Sequence, residues 1–164
     1  MILNAAQRDD LHERFAAAIT AHRQAMFRAA RALLDCDADA EDAVSEAVLR
    51  AWQSFGRLRN ADAAKAWLIR ITVNCAYEHR RKSARVTYTG DLEPLAGSTE
   101  DRHDGGLWDA VAALPEEYRI ATVLYYYEQM TTAEIAKTLG VREGTVRSRL
   151  SRARARLRTL LEED

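Results

Sequence analysis

Seven arginines stand among residues 142–158, against the single acid Glu143. On a helical wheel of about 100° per residue, Val146, Leu150, Ala153 and Leu157 form one apolar stripe. Arg147, Ser148, Ser151 and Arg152 fall on the opposite side, with Arg154 and Arg158 beside them, while Arg149 and Arg156 flank the stripe. A guanidinium can donate two parallel hydrogen bonds to a guanine edge, and a serine hydroxyl reaches bases or phosphates. A helix anchored by one face and offering Arg and Ser on the other is equipped to read duplex DNA. A solvated basic surface would have the same composition, so the preceding residues decide between the two. Thr131-Thr132-Ala133-Glu134 fits a capping box. Gly140 stands where a helix ends in the left-handed conformation, and Val141 can plug the turn into the core. Cap, glycine turn and basic helix together predict a helix-turn-helix over 131–158, whose second helix enters the major groove by its N-terminal part.

The rest of the chain must position that element. It has 164 residues, 48% apolar, with seven Gly and two Pro, which suits one compact domain or two small ones. Helix formers dominate and strand-forming runs are scarce, so the expected fold is all-α. Residues 9–34 read as a helix, Asp35 to Ala40 as a polar turn, and a second helix follows with Ala40, Ala43, Val44, Ala47, Val48, Ala51 and Trp52 on one face. Its other face carries Glu41, Asp42, Ser45, Glu46 and Arg50. Gln53 to Asp62 loses the period and reads as a loop. A third helix is expected from about Ala63 to Lys82, with Trp67, Leu68, Ile71 and Cys75 as its stripe. Residues 86–106 hold four of the seven Gly and no helical period, and read as a flexible linker. Leu107 opens a second unit, with Pro115 at a helix start and Glu116 and Glu117 at its positive end. Two small helical domains are therefore expected, at 1–85 and 107–164, the second near the lower limit for a self-sufficient core.

Net charge is −1, so whole-chain charge does not announce a nucleic-acid partner, but its distribution is uneven. An acidic patch spans Asp35, Asp37, Asp39, Glu41, Asp42 and Glu46, and a basic one spans Arg80, Arg81, Lys82 and Arg85. Different partners on different faces are implied. Cys36 and Cys75 lack metal-ligand spacing, and no disulfide is expected without a secretory signal. There is no phosphate loop, nucleophile motif or metal cluster, and His12, His22, His79 and His103 lie apart. No enzymatic activity, cofactor, resident metal or small-molecule substrate is expected, nor direct membrane insertion, since no run is long enough to span a bilayer. The location expected is cytoplasmic.

The stretch TTAEIAKTLGVREGTVRSRLSRARARL resembles the region-4 helix-turn-helix of bacterial sigma factors of the extracytoplasmic-function type. ALPEEYRIATVLYYYEQM resembles the start of the same domain. DADAEDAVSEAVLRAWQSF and KAWLIRITVNCAYEHRRKS resemble region 2 of that family, in the right order and with a linker between. The resemblance covers roughly residues 15–160, and the pair of motifs in one short chain is more specific than a helix-turn-helix alone. It implies a factor that binds core RNA polymerase and directs it to promoters, region 4 reading the upstream (minus-35) element as duplex and region 2 the downstream (minus-10) element as melted single strand. By motif match, Arg147, Ser148, Ser151 and Arg152 belong at the upstream element, with Thr145 and Arg149 as candidates for phosphate contact. The helix Asp42–Trp52 matches the segment that docks on the polymerase clamp, through Asp42, Glu46 and Arg50; Ser45 stands where the family often carries Gln.

The loop Ser54–Ala64 matches the element that holds a flipped promoter base, for which Phe55, Arg57, Arg59 and Asn60 supply stacking and donors. Asn74 shares a wheel face with Trp67 and Ile71, so its amide is either satisfied in the core or lines a cleft; the resemblance favours a base or backbone contact. His79, Arg80, Arg81 and Lys82 read as a backbone-binding patch. An anti-sigma factor is a further implied partner. Two rivals remain. A stand-alone helix-turn-helix regulator would leave residues 35–85 unexplained, and a helical adaptor would leave the arginine face without a role.

Overall fold

The computed structural model describes residues 2–87 and 106–163. Within them every regular element is helical, as the composition predicts. Three long helices come first: α1 (Ala5–Leu33), α2 (Asp37–Phe55) and α3 (Ala64–Thr87). Asn4 opens α1 with a capping box, its side chain accepting from Gln7 N and the Gln7 side chain accepting from Asn4 N. The turn between α1 and α2 is shorter than expected, because Asp37 and Asp39 enter the first turn of α2, where carboxylates meet the positive helix end. Helix α2 buries Ala40, Ala43, Val44, Ala47, Ala51 and Phe55. Four of these six are alanines, so most of that face is small. Met26, Leu33, Leu68, Ile69 and Val73 fill the space between the three helices, each no more than 2% exposed.

The expected 53–62 loop is also shorter. Helix α2 continues to Phe55, and a 3-10 turn at Ala61–Ala63 leads into α3, with Asn60 Oδ1 accepting from Asp62 N at 3.0 Å. Helix α3 runs past Lys82 to Thr87. The remaining stretch read as a flexible linker, 88–105, lies outside the described residues.

The second unit comprises α4 (Leu107–Ala112), α5 (Glu116–Thr122), a π-helical segment (Val123–Tyr127), α6 (Thr132–Leu139) and α7 (Glu143–Glu162). Pro115 is the N-cap of α5 rather than its first helical residue. The π segment is marked by Glu128 N donating to Val123 O at 3.1 Å, five residues back. The wider turn directs Tyr125 and Tyr126 outward, edge to face at 4.9 Å, while Glu128 turns inward. Gln129 follows at φ 55, a positive angle uncommon outside glycine. Val111, Ile120, Leu124, Ile135 and Val146 form the core here, each no more than 1% exposed. It is continuous with the core of the first unit: α1 meets α5 and the π segment, and α3 meets α6.

Candidate nucleic-acid interface

The helix-turn-helix forms as its local signals dictate. Thr131 Oγ1 accepts from Glu134 N at 3.1 Å, and Glu134 Oε2 accepts from Thr131 N at 2.8 Å, closing the capping box. Gly140 caps α6 at φ 67, and Val141 N donates back to Ala136 O at 3.1 Å. Helix α7 is anchored by Val146, Leu150 and Ala153, all buried, with Leu157 half-buried at the end of the stripe. Arg147, Ser148, Ser151 and Arg152 are all exposed on the opposite side, and Thr145 and Arg149 are half-buried at its margins. Glu143 ties this face to the preceding helix: its Oε1 accepts from Thr132 Oγ1 and from Arg147 Nη2, each at 2.7 Å. Arg149 lies 3.8 Å from Glu117, Arg156 sits over the Tyr118 ring at 5.3 Å, and Arg154 reaches the Tyr126 hydroxyl at 3.3 Å. Arg149 and Arg156, which flank the stripe, and Arg154 thus have structural partners, while opposite the stripe Arg147 pairs with Glu143 and both Arg147 and Arg152 stay exposed.

The residues expected at a flipped base divide. Arg57, Arg59 and Asn60 are exposed on the turn after α2. Phe55 is 6% exposed, its ring 5.1 Å from Phe15 and 6.3 Å from Trp67, so its faces are taken up by other aromatics. A cleft of about 280 Å³ does open beside it, lined by Arg14, Ala17, Ala18 and His22 of α1 and by Phe55, Leu58, Ala61 and Ala64. Burial, with Lys65 nearby, holds the His22 imidazole below its ordinary pKa. Asn74 is exposed rather than a core amide. The buried face of α3 is Leu68, Ile69, Thr72, Val73, Cys75 and Ala76, with Thr72 Oγ1 donating to Leu68 O at 2.8 Å. Trp67 and Ile71 lie only at its edge.

Within the basic patch at the end of α3, Arg81 and Lys82 are exposed. Arg80 is engaged by a bidentate pair with Glu116, which raises its pKa, and donates to Leu33 O at 3.3 Å. His79 Nε2 lies 3.2 Å from Asp39 Oδ1. Asp39, Asp42 and His79 bring one ligand atom each to within 4.8 Å of one another, a juxtaposition that the sequence spacing does not display.

On α2, Asp42, Ser45, Glu46, Leu49 and Gln53 are all exposed along one face, spaced three, one, three and four residues apart. Leu49 is 63% exposed, a large apolar side chain among charges that the polar reading of this face overlooks. Arg50 at its margin bonds both oxygens of Glu78, at 3.0 and 2.6 Å, and Glu46 at 3.0 Å. These bonds raise the Arg50 pKa and hold the Glu78 carboxyl below its ordinary range. Cys36 and Cys75 are free thiols, and burial raises the pKa of Cys75. No helix among the described residues is long and apolar enough to cross a membrane.

Residues 18–86 match the family model described as sigma-70 region 2, and residues 105–157 the one described as sigma-70, region 4. The chain is 38% identical over 144 residues to the ECF RNA polymerase sigma factor SigM of Mycobacterium tuberculosis, covering 85% of this chain and 73% of that one. It is 32% identical over 149 residues to the RNA polymerase sigma factor SigV of Bacillus subtilis, covering 89% and 90%. Among solved structures, the sigma factor RpoE of Bartonella quintana, in complex with the anti-sigma factor NepR, superposes with TM-score 0.75 at 27% identity over 92% of this chain and 98% of that one. CnrH, in complex with the cytosolic domain of CnrY, gives TM-score 0.62 at 27% identity, covering 92% and 88%.

Proposed function

The chain belongs to the extracytoplasmic-function group of sigma-70 factors, and on that premise we propose how its surfaces divide the work of promoter recognition. It binds core RNA polymerase and directs promoter-specific initiation, acting as an initiation factor rather than an enzyme, in the cytoplasm where the polymerase works. Arg147, Ser148, Ser151 and Arg152 read base edges of the upstream duplex element, and Thr145 and Arg149 hold its phosphates. The observation that carries this reading is the exposure of all four side chains opposite a buried stripe, on a helix whose start is fixed by Glu143.

Region 2 takes the melted downstream element. Arg57, Arg59, Asn60 and Asn74 are exposed and offer donors, and Arg81 and Lys82 offer backbone contacts. Phe55 supports that surface from beneath, since its ring is packed between Phe15 and Trp67. The face of α2 bearing Asp42, Glu46 and Leu49 docks on the polymerase, with Leu49 as its apolar centre. Arg50 acts there by fixing Glu46 and Glu78. An anti-sigma factor is a further partner, a reading supported by the complex of the similar Bartonella quintana protein with its anti-sigma factor.

Purified core polymerase, a promoter library and this chain test the assignment. Promoter-dependent transcripts should appear only when the chain is added. Free protein should bind duplex weakly and the holoenzyme strongly. Tight, sequence-specific binding by the free protein would favour the stand-alone regulator instead.

A further inference from the structure

Asp39 and Asp42 lie one turn apart on α2, and His79 faces them from α3. His79 Nε2 is 3.2 Å from Asp39 Oδ1, and an oxygen of Asp42 completes the group, the three atoms lying within 4.8 Å of one another. An ordinary His–Asp pair accounts for the first contact. It does not account for a second carboxylate beside the first. Two carboxylates this close repel, and a cation between them relieves the repulsion. Three neighbouring acids have their cations. Arg31 donates to Asp37 at 2.8 Å, and Arg50 donates to Glu46 at 3.0 Å and to Glu78 at 2.6 Å. The buried Glu128 carboxylate likewise has Arg28 at 3.2 Å and Lys65 at 3.4 Å. Among the described residues, no Lys or Arg pairs with Asp39 or Asp42.

The donor set is one imidazole nitrogen and two carboxylate oxygens, without sulfur. Such a set suits a divalent first-row transition ion. Around Zn2+ these donors bind at about 2.0–2.2 Å, so neighbouring donors stand about 3–4 Å apart. The His79–Asp39 spacing already meets that, and Asp42, at an exposed position, closes the remainder by side-chain rotation. The backbone beneath is fixed. Asp39 precedes Ala40 and Asp42 precedes Ala43, both no more than 2% exposed, and Cys75 and Ala76 are buried in the turn before His79. The Arg50–Glu78 bridge joins α2 to α3 immediately beside His79. Ligands carried on braced helices lose little freedom when an ion binds. The side chains of Asp39 and His79 are 40% and 26% exposed, so an ion enters from solvent and keeps water in its remaining positions.

We propose that Asp39, Asp42 and His79 form a site for a divalent transition-metal ion, of which Zn2+ is the best-fitting example, and that the ion controls access to the docking face of α2. The second part rests on the sigma-factor reading above. Asp42 is a candidate polymerase contact, on the face that carries Glu46 and Leu49. An ion that takes the Asp42 carboxylate withdraws it from that contact and neutralises the charge beside it. Ion and polymerase then compete for one side chain, and each weakens the binding of the other by the same factor.

Titration calorimetry of the metal-free full chain with Zn2+ tests the site without polymerase. The wild type should bind the ion, and X-ray absorption should show nitrogen and oxygen neighbours at about 2.0–2.2 Å and no sulfur. Loss of a residue that merely supports a metal ligand costs about 10–100-fold, so Asp39→Asn and His79→Ala should each weaken binding at least about tenfold. Cys36→Ser and His12→Ala should not, and excess Mg2+ should not displace Zn2+. Circular dichroism should be unchanged, since neither Asp39 nor His79 is in the core. Zn2+ should then weaken wild-type binding to core polymerase about fivefold or more, and leave Asp39→Asn, which is outside the docking set, unaffected. No uptake of Zn2+, sulfur among its neighbours, or binding that survives both variants would overturn the site. Uptake there with polymerase affinity unchanged would overturn the control of docking. If the chain took up Zn2+ as expected but bound no polymerase with or without it, the sigma-factor reading would fail and the metal site would stand.

Discussion

Arg147→Ala offers the most direct measurement of what the exposed face of α7 does. An arginine bonded to a base edge contributes about 1–3 kcal/mol of discrimination. In the free protein this guanidinium is already paired with Glu143 at 2.7 Å, with side chains 64% and 41% exposed. A pair so open to solvent is worth at most about 1 kcal/mol, and engaging the base gives it up. The net loss on truncation is then about 1–2 kcal/mol, or about 5- to 30-fold in affinity for the cognate promoter. The assay is competition binding of holoenzyme on a promoter recovered from the library, against versions with single substitutions in the upstream element. Truncation should be costly on the cognate site and nearly silent on the one substitution that removes its base. Lys82→Ala should instead weaken all sequences alike and lower the salt slope by about 0.7 if it meets a single-strand phosphate. An Arg147→Ala protein that loses affinity uniformly, or not at all, would refute base reading by this face.

Three other outcomes are expected. Asn74→Ala, at an exposed amide, should slow promoter opening about 2- to 10-fold for one lost hydrogen bond while duplex binding is kept, measurable with a fluorescent base analogue in the downstream element. Thr131→Ala removes the α6 cap, which costs about 1 kcal/mol; if the chain melts as one unit, thermal denaturation should show a Tm about 2–4 °C lower. Glu78 has its folded pKa depressed by Arg50, so its contribution is present above the unfolded value near 4.5 and is lost as pH falls below it. Both partners are more than a third exposed, so the share is under about 1 kcal/mol. Glu78→Gln should therefore flatten, slightly but measurably, the decline of the urea midpoint below about pH 4.5.

The parts legible in the sequence are those governed by neighbours a few residues away. Thr131 and Glu134 are three residues apart, Gly140 follows the last turn of α6, and the Val146–Leu157 stripe repeats along a single helix. The buried face of α3 is less legible. The large side chains Trp67 and Ile71 dominate its wheel, but the buried centre is Leu68, Ile69, Thr72, Val73 and Ala76, four of them small or β-branched. Displacing the stripe moved Asn74 from the core face to solvent. The surroundings of Phe55 depend on a distant partner: α2 extends three residues beyond Trp52, and the Phe55 ring packs in an aromatic cluster with Phe15, which lies 40 positions earlier in the chain. Glu128 has no local signature. Its partners lie 100 and 63 residues away, so nothing in YYYEQM distinguishes a buried acid from a solvated one.

The same structural facts decide which substitutions can be interpreted. Arginines are the candidate contacts on every surface of this protein, but their present partners differ. Arg147 has one exposed acid as its partner, so its removal disturbs little beyond the DNA face. Arg50 bonds Glu46 and both oxygens of Glu78, joining α2 to α3. Its removal leaves Glu78 unpaired and loosens the helix that docks on the polymerase, whether or not Arg50 touches the polymerase at all. A defect in Arg50→Ala therefore argues for direct contact only if Glu78→Gln, which breaks the same bridge from the other side, leaves polymerase binding intact. Arg80 needs the same control with Glu116→Gln, and there the two substitutions should have opposite effects. Removing the acid frees the arginine for DNA, and removing the arginine deprives the promoter of it.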